Sequence, residues 1–112
     1  MTVGDIALTS LPQADGSVKM RPVLLLKRFP PFGDFLVCGI SSQIQQEVVG
    51  FDYVISAGTA EFASSGLKVT SLVRLGFLAV LPESHLAGKL GSVSGPTLST
   101  LLRRLSDYLA KP

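Results

Sequence analysis

The 112-residue sequence predicts a mainly β, α+β fold: a strongly bent antiparallel sheet packed against one C-terminal α-helix. Three observations carry this. Short segments rich in Val, Leu, Ile and Phe recur between Gly, Pro and Asp punctuation, the pattern of strands and turns. Two of them, Leu24-Leu25-Leu26 and Leu36-Val37-Cys38, are apolar on both faces, as in a sheet covered on both sides or curled into a small barrel. Leucines at helical spacing mark the end of the chain.

In chain order, a first strand over 6–11 ends at Pro12 and gives way to a polar turn, Gln13-Ala14-Asp15-Gly16-Ser17, with an Asp-Gly signal. Strands over 21–28 and 35–42 form a hairpin around Phe29-Pro30-Pro31-Phe32-Gly33-Asp34, in which Phe29 and Phe32 read as packing residues. Residues 43–49 continue a strand past Gly39, Gly50 marks a turn and 52–55 form a shorter strand. A single helical turn fits 59–64. Residues 68–81 are again strand-like, with Arg74 the only charge inside, and 86–93 make a short strand broken by Gly88 and Gly91. Ser94 and Gly95 before Pro96 supply a helix start. Leu98, Leu101, Leu102, Leu105 and Leu109 then form a buried stripe, with Arg103, Arg104 and Asp107 on the other face.

The length fits one domain spanning residues 1–112, with no linker. Hydrophobic residues make up 46%, yet apolar runs such as 75–81 fall far short of the ~20 residues a membrane span needs. The apolar excess points to strands buried on both faces or to a subunit interface. Met1-Thr2-Val3-Gly4-Asp5 lacks the basic start of a secretory signal, so a cytoplasmic location is expected. Cys38, the single cysteine, reads as an inert buried thiol. His85, the single histidine, reads as an exposed turn residue, and one Cys, one His and scattered acids do not assemble a metal site. There is no phosphate loop and no dinucleotide fingerprint, so neither metal nor cofactor is expected. A net charge of +2 is too small for binding by bulk charge, and any nucleic-acid role rests on a local groove.

The hairpin supplies such a groove. If Arg28 pairs with Phe35, Arg21 pairs with Ser42, and opposed residues share a face at about 5 Å. A slip of one residue brings Ser41 instead to the arginine's face. Either register places a guanidinium beside a hydroxyl at the open end of the hairpin, a site for a phosphate.

The order Gly4-Asp5-Ile6, Gly16-Ser17 ahead of Arg21-Pro22-Val23-Leu24, then Ile40-Ser41-Ser42-Gln43-Ile44, Val73-Arg74-Leu75 and a leucine-patterned C-terminal helix resembles the PemK/MazF family of toxin endoribonucleases, over essentially the whole chain. The resemblance implies a small SH3-like curled antiparallel barrel with a terminal helix. It also implies a homodimer that cleaves single-stranded RNA sequence-selectively without metal and so arrests translation. A cognate antitoxin with an acidic, disordered segment is implied as partner. Arg21 and Ser41 fall on the family's catalytic positions, and Ser17, Lys19, Ser42 and Gln43 are the expected RNA-binding residues. Arg21 would stabilise the dianionic pentacoordinate phosphorus; a guanidinium is a poor general base, and no base is identified. The chain departs from the pattern in a shorter segment between Gly16 and Arg21, in Val18 where Glu is common, and in Leu72 where some members have Gln. The alternative is a non-catalytic SH3-like module that binds a protein or nucleic acid.

Overall fold

The computed structural model describes residues 1–12 and 15–112. Six strands and two α-helices run in the order β1 (Asp5–Pro12), β2 (Val18–Phe29), β3 (Asp34–Ser41), β4 (Tyr53–Ile55), α1 (Ala60–Ser65), β5 (Ser71–Leu81), β6 (Leu86–Ser92) and α2 (Gly95–Ala110). The strands form one antiparallel sheet in the order β4-β5-β3-β2-β1-β6. Of the expected first turn, Gln13 and Ala14 lie outside the described residues. Its second half is an Asx turn, with the Ser17 amide and hydroxyl both donating to Asp15 Oδ1.

The connection from β5 to β6 shows that the sheet must curl. These strands are four inter-strand spacings apart, about 19 Å if the sheet were flat. The peptide links from Leu81 to Leu86 reach at most about 18 Å when fully extended, and residues Glu83–His85 are wound into a 3-10 turn that shortens this well below the flat-sheet distance. The ends of β5 and β6 therefore approach across a curved sheet, although no ladder joins β4 to β6 among the described residues.

Each face of this sheet has its own core, as the two-sided apolar runs require. Leu24, Leu26, Cys38, Ile40, Val73 and Leu75 face α2, whose Leu101 and Leu105 are buried among them. Val23, Leu25, Phe35 and Val37 pack on the opposite face with Leu81 and Leu86 from the ends of β5 and β6. Cys38 is fully buried, and that burial first, then the charge of Asp52, pushes its thiol up to about 12.

Four local expectations are corrected. Residues 43–49 do not extend the sheet: β3 ends at Ser41 and Ile44–Gln46 form a 3-10 turn. Leu109 is 67% exposed, and the buried residues of α2 are Leu101 and Leu105 alone. Arg104 is half-buried, donating to the Phe51 and Asp52 carbonyls at 3.3 and 2.7 Å. Phe29 and Phe32 are not packed, Phe32 being 86% exposed.

Helix ends are capped as their sequences dictate. Thr59 Oγ1 accepts from the Phe62 amide and Ser94 Oγ from the Thr97 amide. α1 stops at Gly66, with φ +73°, where a β-carbon would also stand 2.1 Å from the Leu90 carbonyl oxygen. Glu61 of α1 joins three elements: it accepts from the Tyr53 hydroxyl and from the Ser94 amide and hydroxyl at the start of α2. Burial alone would raise the Glu61 carboxyl, but bonds from Tyr53, Thr97 and Ser94 outweigh it and hold the group below the usual glutamate range. A depressed folded-state pKa adds stability that is present above the unfolded value and lost as pH falls through the folded one. Thermal melts of Glu61→Gln from about pH 6 to about pH 3 should therefore show a shallower acid decline than wild type.

Candidate active site

The ladder between β2 and β3 runs from Phe29↔Asp34 to Val23↔Gly39 and stops. Pro22 follows on β2, with no amide to give a ladder. On its other side β2 stays bonded to β1, through Leu8↔Pro22 and Thr9↔Arg21, so Arg21 is anchored on an interior strand. Beyond Val23 the paired strands part around a cleft of about 230 Å³. Arg21, Ser41, Ser42 and Gln43, which sequence had placed together, all line it. Gly39, Arg74 and Phe77 line it as well.

The register departs from the simple hairpin. Arg28 opposes Phe35 as expected, but Lys27 opposes Leu36 and Leu25 opposes Val37, which makes Leu26 the extra residue of a β-bulge. Carried two residues past the end of the ladder, the shifted register sets Ser41 across from Arg21. The ladder that is present thus carries the one-residue slip, and its continuation past Val23↔Gly39 runs Arg21 toward Ser41, while Ser41 and Ser42 both line the cleft. Ser41 Oγ accepts from the Gln43 amide at 3.0 Å, and its O–H can donate to an anionic ligand. Gln43 reaches the cleft from the turn after β3, its Oε1 accepting from Gln45 Nε2 at 2.6 Å.

A second, larger bulge brings the remaining lining residues. Gly39 opposes Arg74 while Cys38 opposes Leu78, leaving residues 75–77 without partners on β3. Leu75 turns into the core, where its amide donates to Asp52 Oδ1 at 3.1 Å. Phe77 swings back over Gly39, where a β-carbon would stand 3.2 Å from its Cγ. The Arg74 guanidinium carbon lies 5.8 Å from the Phe77 ring centroid. Strand alternation puts residues 74 and 77 on opposite faces, so sequence reasoning missed this pair. Gly76, a glycine inside a strand, was the signal of the bulge that unites them.

Ser17 and Lys19 do not line the cleft. Ser17 sits in the Asx turn, and Lys19 is exposed on β2, opposite Leu11 of β1. Among the described residues the cleft is lined by two guanidiniums, two hydroxyls and an amide, and by no carboxylate. It is built for an anion.

Comparisons with known proteins bear on the family and the fold. The family model described as PemK-like, MazF-like toxin of type II toxin-antitoxin system matches residues 2–109. No curated protein sequence matches. Among solved structures, the chain is similar to the Mycobacterium tuberculosis toxin MazF-mt6, with 20% identity, 96% of this chain and 98% of that one covered, and a TM-score of 0.70. A mycobacterial endoribonuclease in complex with its cognate antitoxin is 16% identical over 100% of this chain and 97% of its own, with a TM-score of 0.73. MazE-MazF from Deinococcus radiodurans gives 18% identity, 100% and 97% coverage and a TM-score of 0.67. No helix among the described residues is long and apolar enough to cross a membrane. With the family pattern running through all but the chain's first residue and last three, the protein belongs to the PemK-like, MazF-like toxins of type II toxin-antitoxin systems.

Proposed function

We propose that this toxin is a metal-independent, sequence-selective endoribonuclease that cuts single-stranded RNA, messenger RNA included, and so arrests translation. The observation that supports this best is a cleft holding Arg21, Arg74 and the Ser41 hydroxyl with no carboxylate lining it among the described residues. In the proposed reaction a ribose 2′-oxygen forms a bond to the adjacent phosphorus and the bond from phosphorus to the 5′-oxygen breaks. The 2′-proton is lost and the leaving oxygen gains one. Charge gathers on the phosphoryl oxygens between these events, and there a forked guanidinium and a hydroxyl donor act. Arg21 is the main donor and Ser41 the second. No carboxylate or imidazole lines the cleft among the described residues, so it works chiefly through charge.

Ser42 and Gln43 position the RNA from the rim. Lys19, two residues from Arg21 on the same side of β2, and Ser17 beyond it extend the polar path outward. The same anion site suits an acidic, disordered antitoxin segment, whose carboxylates would occupy the place of phosphates. A second copy of the chain is the other proposed partner, since Val49 and Leu109 border an apolar groove while 86% and 67% exposed.

The test is incubation of a long single-stranded RNA with the protein in EDTA. Discrete products support the nuclease; cleavage of no RNA would leave the non-catalytic binding module. Ser41→Ala and Ser42→Ala, assayed side by side, should separate. The shifted register expects Ser41→Ala to slow cleavage by about tenfold or more, as for loss of one transition-state hydrogen bond, with Ser42→Ala nearer wild type.

A further inference from the structure

Phe77 lines the cleft, and the proposed chemistry leaves it without a role. Its ring is fixed from one side. The position a β-carbon would take on Gly39 lies 3.2, 3.4 and 3.5 Å from Cγ, Cδ2 and Cδ1. Near-equal approach to these three atoms puts Gly39 under the ring face, not at its edge, so the glycine is what lets the ring lie down on the sheet. Arg74, at 5.8 Å from the centroid, is too far to stack on the ring but close enough to steady it by cation–π attraction. Phe77 nonetheless stays 44% exposed. A ring laid on Gly39 in the wall of an anion-binding cleft, with so much of it open, is arranged for a planar ligand that carries phosphate.

We propose that Phe77 is a stacking platform for a nucleobase of single-stranded RNA, the base neighbouring the phosphate held by Arg21 and Ser41. The inference takes its ligand from the ribonuclease reading but does not depend on cleavage. Every nucleobase offers a π-face, so the platform contributes affinity and positioning, and it leaves sequence choice to the polar rim.

The test uses the full chain and a fluorescent, mixed-sequence single-stranded RNA with 2′-fluorine at each ribose, which cannot react through the 2′-oxygen. Phe77→Leu keeps an apolar side chain but removes the π-face, and should weaken binding by about tenfold. Phe77→Trp should bind within about twofold of wild type, with melting temperatures unchanged in both variants. Unaltered binding by Phe77→Leu, equal losses in Leu and Trp, or no binding by wild type would each overturn the platform. If binding follows the expected pattern but wild type cleaves no natural RNA, the nuclease reading fails and the platform stands. If wild type cleaves and Phe77→Leu binds and cleaves as well as it does, the platform fails and the nuclease stands.

Discussion

Arg21→Ala is expected to lower the rate of RNA cleavage at least about 10²-fold, the usual cost of removing a donor aimed at transition-state charge. The side chain is only half-buried, at the point where Pro22 ends the ladder between β2 and β3. Both core clusters are built from other residues, so the melting temperature should move little. Arg21→Lys sharpens the assignment. An ammonium keeps the charge but loses the flat fork that meets two phosphoryl oxygens at once, so cleavage should fall between wild type and Arg21→Ala. Initial rates in EDTA, beside thermal melts of the same preparations, check both expectations. If Arg21→Ala cleaves within a few-fold of wild type, the catalytic role moves elsewhere in the cleft, with Arg74 the next donor to examine.

The limits of the sequence appear at the same residues. The hairpin closing Arg28 on Phe35 was legible, because Pro and Gly punctuate its loop and apolar strands flank it. The bulge at Leu26 was not. Val23, Leu24, Leu25 and Leu26 are all buried, so moving any of them to the other face leaves no polarity mismatch to expose the slip. The choice between Ser41 and Ser42 is therefore open in the sequence, and the side-by-side alanine variants decide it. Arg74 and Phe77 were hidden for the converse reason, since strand periodicity separates them and only the bulge over residues 75–77 reunites them. Leu109 continues the leucine period of α2, but period records which side of a helix a residue occupies and not how far the sheet beneath it extends. Arg104 read as a solvent-facing charge, and its partners are carbonyls from the segment leading into β4, a kind of contact that no local pattern announces.

Asp52→Ala is expected to cause the largest loss of stability, and its effect should reach the cleft. Asp52 is 5% exposed. Its Oδ2 accepts from the Val48 amide at 3.0 Å, and its Oδ1 accepts from the buried Leu75 amide at 3.1 Å. Asp52 directly precedes β4, whose ladder with β5 ends at Tyr53↔Val73, so its carboxylate clamps the first residue of the bulge over 75–77. Alanine would leave two amides wanting acceptors, one of them buried, at about 1–3 kcal/mol for an unsatisfied buried group. A total of about 2–4 kcal/mol lowers Tm by about 10 °C or more in a chain of this size. Asp52→Asn keeps one acceptor oxygen in nearly the same volume and should lose roughly half as much. The Leu75 amide directly follows Arg74, and Phe77 is two residues beyond, so a bulge that has lost its clamp no longer holds either side chain at a set height above Gly39. Cleavage by Asp52→Ala, measured well below its own Tm, should then fall several-fold although Asp52 does not line the cleft. A variant that melts like wild type would show that the bulge holds its shape without Asp52. One that melts early yet cleaves at the wild-type rate would show that the position of Arg74 and Phe77 does not govern the reaction.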